Sequence, residues 1–592
     1  LLTSGRHALT ESIILSEPVS PAPTGGAALA RARLVADAAR RLGPRACLLA
    51  GWHRLRLRSG LAALALGEVG LPAGPLLPAS LPDAGATGDA ARFAAAAEAA
   101  MPASWHGPFP ADAPGLGLDL FSAGDIRPVW EANRLLALPL LAKAACLAPA
   151  DGHLARAEAV LRGWIEANPP YRGPAWACGQ EAALRALHVA LALVLLKADR
   201  TPQPAMRALL AIHAGRIEAT RTYASAQDNN HAVSEPAGLF VIGLLLGDAA
   251  MAARGARGLA HAVARLVAPD GTFAQASPAY HRLLLDTLVV AEWFRRRHGA
   301  PPFDAPFADR AEAATVWLQR VMHPTTGALP RCGAVDDSAL ADLSLHGPLD
   351  ARGSVGRAMA LFWRGNAPGQ PARCQPEGSR WHSTGWIGER TPRFQLLLRT
   401  ATGLRFRPAQ ADFLHLDLAL DGAPLLIDGG TGAYNPPPGC AWWTDALAGT
   451  AGHNTVQFDG QDQMPRISRF LFARWPDGEA VPGGAAIRDA RGNRHERRLQ
   501  VATDSVTVED RVAGPFTQLA LRWRLAPGDW RLTPDGVEGP RARLRLTADA
   551  PCRIRLAAGW HSPAYGRVEP APVLELTAAA PVARLTTRIE AG

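Results

Sequence analysis

The chain has 592 residues, 48% of them hydrophobic and 19% charged, which is too long for one core and too apolar for a disordered chain, so two or three globular domains are expected. Its 62 Lys and Arg against 53 Asp and Glu give a formal net charge of +9 without a dense basic block; a polyanionic partner, nucleic acid or acidic polysaccharide, is compatible with that, and so is a merely arginine-rich composition. Seven scattered cysteines with no CxxC pair indicate neither a disulfide scaffold nor a zinc ribbon.

The opening residues, LLTSGRHALTESIILSEPVSPAPTGG, lack a basic region followed by an apolar core and do not begin with Met, which leaves the compartment open. From about residue 26 to 370 the apolar residues recur in helical period, in LARARLVADAARRL, VWEANRLLALPLLAKAACL, EAALRALHVALALVLLKA, MAARGARGLAHAVARLVA, LLLDTLVVAEWFRRR and AEAATVWLQRVM. No transmembrane segment is expected: LFVIGLLLG is too short to span a bilayer, and the helix over 181–198 carries Arg185 and His188 inside its apolar run.

After about residue 380 the period becomes two, in RFQLLLRT, FLHLDLAL, RLQVATDSVTVEDRV, QLALRWRL and ARLRLTA, with Asp421-Gly422, Asp459-Gly460 and Asp535-Gly536 as hairpin turns. Each kind of element must bury its own apolar face, so an α domain joined to an antiparallel β-sandwich is expected, with a linker over 364–380. Periodicity alone leaves open whether the helix pairs close into a toroid or stack as a solenoid, and no clean repeat is seen.

Three clusters could carry chemistry. In DNNHAVSEPAGLF, residues 228–240, Asn229, Asn230, His231 and Glu235 crowd the start of a buried helix, where amides cap backbone N–H groups and the dipole favours an anion such as a carboxylate. In DGTFAQASPAYHRLLLDT, Tyr280 and His281 follow a Ser-Pro turn; this is either a functional pair or core packing with a satisfied hydroxyl. On the strand expected over 412–420, alternation puts Asp412 and Leu414 on one face and Phe413, His415 and Asp417 on the other. Asp428, His453 and either Gln410 or His415 are candidates for a mixed oxygen and nitrogen metal site, with a hydrogen-bonded sheet edge as the plainer reading.

Three blocks, NNHAVSEPAGLF, DGTFAQASPAYHRLLLDT and QADFLHLDLALDGAPLLIDGGTGAYN with GHNTVQFDGQDQ, resemble the heparinase II/III-like polysaccharide lyases. Upstream, DIRPVWEANRLLALPLLAKA and NPPYRGPAWACGQEAALRALHVA are similar to the branch encoded with capsule, exopolysaccharide or O-antigen genes. The resemblance implies an N-terminal helical extension over 1–99, an (α/α) toroid of the alginate-lyase-like type over 100–375, and a heparinase II/III-like β-sandwich over 376–592. The reaction it implies is β-elimination at a uronic acid of an acidic polysaccharide, with a cleft between the two parts.

Residue by residue, Asn230 and His231 fall on the positions that neutralise the carboxylate and handle protons, as neutral donors, with Asn229 and Glu235 beside the sugar. Tyr280 falls on the tyrosine that acts as base or acid, its phenolate favoured by nearby positive charge, and His281 orients it or the sugar. Asp428 and His453 match structural-metal positions, with Gln410 where other members carry His; the metal would be zinc or calcium, and none is required for the chemistry. A neutral Gln carbonyl suits zinc less well. The second catalytic histidine of some members is Pro408 here, which leaves three readings: His415 or Tyr434 takes its role, Tyr280 serves as both acid and base, or activity is lost. Arg405 and Arg407 are candidate anion clamps.

The lyase implied places the protein in the periplasm or cell envelope, with the cytoplasm as the alternative. Two other readings remain: a toroid-type glycoside hydrolase using Asp228, Glu235 or Glu181, and a non-catalytic polysaccharide-binding protein. Nucleic-acid binding accounts for the charge but for none of the motifs.

Overall fold

The computed structural model describes residues 25–81, 88–340, 342–364, 379–404 and 406–592; most of the expected linker therefore lies outside the described residues. The helical part runs α1 (Gly25–Arg58), α2 (Leu61–Leu66), α3 (Ala90–Ala99), α4 (Ile126–Asn133), α5 (Ala137–Leu147), α6 (His153–Ala167), α7 (Gly179–Leu195), α8 (Pro204–Gln227), α9 (His231–Leu246), α10 (Ala249–Leu266), α11 (Pro278–His298), α12 (Ala305–Val321) and α13 (Arg352–Phe362). The odd helices from α5 to α13 neighbour one another in succession, and α6, α8, α10 and α12 pack against them. Helices α7, α9 and α11 are buried on nearly every side, because a helix apolar all round must be covered all round. This is the toroid of helix pairs, not a solenoid.

Close packing of the layers depends on small residues. A Cβ on Gly243 of α9 would meet Ala252 N at 2.4 Å, and one on Gly255 of α10 would meet Phe240 N at 2.4 Å, so these crossings require glycine. One expectation is corrected here: the single helix over 129–147 is two, because Leu135 adopts φ 59° and breaks the run. Beside the break Arg134 turns inward and donates two hydrogen bonds to Glu181, at 2.6 and 2.8 Å.

The β part is antiparallel. A five-stranded meander, Ser379–Ser383 through Ala423–Leu426, faces sheets of eight and four strands, and Leu396 and Leu418 of the first, Val508 and Leu544 of the second and Leu521 and Leu576 of the third share one core. Asp421 and Gly422, both at positive φ, make the expected hairpin turn. The strand expected over 412–420 begins only at Leu416, because Leu414 takes φ 60° and interrupts the alternation. The two parts are joined by a shared apolar cluster in which Trp386 and Leu397 pack with the helical core, and Trp317 Nε1 donates to Ser383 Oγ at 3.0 Å. Asn435 Nδ2 also donates across the junction, to Phe121 O and Gly124 O at 3.0 and 2.8 Å.

Candidate active site

A cavity of about 780 Å³ lies between the helical and β parts, lined from α1, α4, α7, α9 and α11 on one side and from residues 406–412, Tyr434 and 468–470 on the other. Helix α9 supplies the first group. Asp228 ends α8 at φ 48° and is gripped by Arg265, Nε to Oδ1 2.7 Å, and after this turn Asn229 Oδ1 accepts the His231 N–H at 3.0 Å. Asn229 is thus the capping residue, with its Nδ2 on Gln227 Oε1 at 3.2 Å. Asn230 is held from two sides, Nδ2 donating to Gln180 Oε1 at 2.8 Å and its backbone N–H to Gln275 Oε1 at 3.1 Å. Its second amide hydrogen is left for a ligand.

His231 Nδ1 stands 3.4 Å from Glu235 Oε1 and 3.9 Å from Cys178 Sγ. Burial works against its charge, but Cys178 and Glu235 outweigh burial and push the imidazole up to about 10. These neighbours favour the protonated imidazole, where a neutral donor was expected. Burial raises Glu235 despite the pull of His231.

Ser277 Oγ caps α11 by accepting the Tyr280 N–H at 3.4 Å, and the turn carries the Tyr280 ring into the cavity, where its hydroxyl lies 2.6 Å from the Tyr434 hydroxyl. Tyr434 is fixed in turn, its N–H donating to Tyr565 Oη, which donates to Asp125 Oδ2, both at 2.7 Å. Burial, then Asp336 and Tyr434, hold Tyr280 well above the usual phenol range, against the opposing pull of Arg127. Tyr434 is raised by burial and then Asp336. Arg127 is committed to Asp336 through Nε at 3.2 Å and to its carbonyl at 2.8 Å, so the expected phenolate is corrected: both tyrosines are phenols in the free protein.

Other expected residues divide. Arg407 lines the cavity, and its Nη1 is buried without a partner, as an anion clamp would be. Pro408 and Gln410 line it too; Arg405 lies outside the described residues. His281 does not reach the cavity: it stacks on Trp317 at 4.6 Å and its Nε2 bonds Ala314 O at 2.8 Å. One residue along a helix turns the side chain by about 100°, so Tyr280 and its neighbour face different surroundings.

His415, expected at the substrate, is also elsewhere. It is buried in a nest with Asp428 and His453, where Asp428 Oδ2 lies 2.9 Å from His453 Nδ1 and 3.4 Å from His415 Nε2. The three can offer ligand atoms within 4.8 Å of one another. Gln410, expected as a third metal ligand, donates Nε2 to Gly430 O at 2.8 Å. Three buried atoms beside or within this group, His415 Nε2, His453 Nε2 and Gln410 Oε1, have no hydrogen-bond partner, and orphaned acceptors and donors of this kind fit a divalent ion. Such an ion would sit on His415, Asp428 and His453, with imidazole nitrogen and carboxylate oxygen as its donors.

Residues 375–591 match the family model described as heparinase II/III-like, C-terminal. The β part of the chain is thus heparinase II/III-like. It is similar over 91% of both chains to a crystal structure of heparinase III, at TM-score 0.62 and 15% identity. Over 95% of this chain and 90% of the other it is similar to a heparan sulfate lyase HepC mutant from Pedobacter heparinus, at TM-score 0.52 and 15% identity. No curated protein sequence matches it. At such identity the shared property is the fold, a helical toroid followed by antiparallel β-sheets.

Within this cavity several residues were not singled out by motif reading. Gln180 and Gln275 position Asn230, Arg127 and Asp336 set the field at the tyrosines, and Cys178 approaches His231. They come from four separate segments, so no spacing marks them; the only signal was that Arg127, Cys178, Gln180 and Gln275 stand in the resembling blocks. Seven arginines and five carboxylates line the cavity, and His53 there is pulled down to about 4 by burial and then by Arg216, Arg56 and Arg54. The surroundings are electropositive.

Proposed function

We propose that the chain is a polysaccharide lyase that cleaves a uronate-containing polysaccharide by β-elimination. The observation that carries this reading is the Tyr280–Tyr434 hydroxyl pair in the same cavity as the Asn230 amide and the His231 imidazole. A uronate carboxylate held by His231 and Asn230 meets donors that are already in place, and they stabilise the charge that moves onto it as the C5 proton leaves. Tyr280 Oη, once deprotonated, takes that proton. The C4–O4 bond breaks as the C4–C5 double bond forms, and the departing O4 receives a proton back from the tyrosine pair.

Arg407, with its unpartnered Nη1, and the excess of arginines support an acidic polymer. Resemblance to the capsule and exopolysaccharide branch supports an envelope polymer and a periplasmic or envelope location. A calcium or zinc ion in the His415–Asp428–His453 nest would tie together segments of the β part without touching substrate, since none of the three lines the cavity.

Carboxylate-pair hydrolysis fits less well. Asp228 is outside the cavity lining and is held by Arg265, Glu181 is gripped by Arg134, and Glu235 by His231. Pro408 and the raised tyrosines favour a second reading, a binding protein without turnover. Ultraviolet absorbance of the conjugated C4–C5 unsaturated uronate, recorded with heparan sulfate, heparosan, alginate and extracted capsule, separates the three. A rise supports elimination, new reducing ends without a rise support hydrolysis, and binding with neither supports the non-catalytic protein.

A further inference from the structure

Helix α1 bends at Gly43–Pro44, where Gly43 takes φ 84°. Before the bend Asp37 Oδ2 accepts the Arg474 N–H at 2.7 Å. After it, Ala46, Ala50 and His53 are buried, with His53 stacked on Tyr223 of α8 at 4.4 Å. The other side of the same helix carries Leu48, Trp52 and Leu55, which are 73%, 49% and 55% exposed; spacings of four and three put them on one stripe. The stripe runs on into α2, whose Leu61 and Leu64 are 46% and 78% exposed, and then to Val69 and Leu71. Of the thirteen large hydrophobic side chains exposed among the described residues, seven lie within this segment of 24 residues, 48–71. Apolar surface concentrated this way marks an interface rather than chance exposure.

The charges decide which interface. Between residues 44 and 71 stand Arg45, Arg54, Arg56 and Arg58 against the single acid Glu68, and Arg45 and Arg58 flank the exposed stripe. Leucine and tryptophan on one face with arginine beside them is the pattern of a helix lying in the surface of an anionic bilayer. No described helix is long and apolar enough to cross a membrane, so the segment would lie on the bilayer. We propose that α1 after its bend, α2 and the loop to Leu71 form a docking surface for an anionic lipid bilayer. His53, Arg54, Leu57 and Arg58 of the same helix line the cavity, so docking places the cavity beside the membrane. This holds whichever polymer the cavity takes, and whether or not it turns over.

The test is co-sedimentation of the full chain with vesicles of phosphatidylcholine alone and of phosphatidylcholine mixed with phosphatidylglycerol. The bound fraction is expected to be high only on the mixed vesicles, to fall with added salt, and to drop about tenfold in the Leu55→Glu/Leu64→Glu variant. These two side chains are exposed, so an unchanged thermal melt of the variant shows that the loss is not one of folding. Three results would overturn the proposal: a protein that stays in the supernatant with both vesicles, a double variant that binds as well as the parent, or a parent that light scattering shows to be a dimer and the variant a monomer. The last would assign the stripe to a second copy of the chain.

Discussion

Two buried polar clusters, some residues of which are neighbours in sequence, are built to opposite ends. In the cavity Asn230 and the tyrosine pair are held by hydrogen bonds and Arg407 keeps Nη1 unpartnered, and all four line the open space. In the nest His415, Asp428 and His453 turn toward each other and line no cavity. Burial of a polar group therefore does not mark catalysis; the direction of its unused bonding capacity does.

The largest effect that would break this comparison is Tyr280→Phe. Unsaturated product should fall by about 10³-fold, in the range for a lost acid-base group, with polymer binding and the thermal melt retained. Turnover within tenfold of the parent would mean that Tyr280 does not handle the proton. Asp428→Ala should act on stability, costing about 3–5 kcal/mol by leaving the buried His453 imidazole without its partner, as read by denaturant unfolding. A nest that tolerated the change would lose its structural role.

The pH profile sharpens the contrast within the cavity. Tyr280 is held up by burial and Asp336, so the phenolate needed to take the C5 proton forms only as pH rises. His231, pushed up to about 10, keeps its positive charge below that pH and loses it above. Turnover should climb from neutral into alkaline pH and decline beyond about 10 as the carboxylate loses its cation. An optimum on the acid side of neutrality would contradict both assignments. The smallest change expected is Arg407→Ala, which should raise KM about tenfold with kcat little altered, the mark of an interaction made equally before and during the reaction.

Much of the architecture was legible because periodicity reports burial, and burial here follows the period: 3.6 through α7 to α12, two from Arg393 onward. What escaped was decided by single backbone conformations. Leu135 and Leu414 both take positive φ, which nothing in a leucine announces, and the first splits a helix while the second moves the start of a strand and reorients what precedes it. In the site, Asn230, His231 and Tyr280 were readable because each opens a helix. The ordering of His281 and His415 away from the cavity was not, since adjacency in sequence says nothing about which side of an element faces a space. Nor was the partnering of Arg127 with Asp336, more than two hundred residues apart.

The most direct measurement is the mass of the products formed in water enriched in heavy oxygen, using whichever acidic polysaccharide the protein consumes. Elimination breaks C4–O4 without water, so the account predicts that neither new end carries solvent oxygen and that the unsaturated end is lighter than a hydrolysis product by one water. Heavy oxygen at a new reducing end would contradict the account and return the carboxylates of the cavity to consideration.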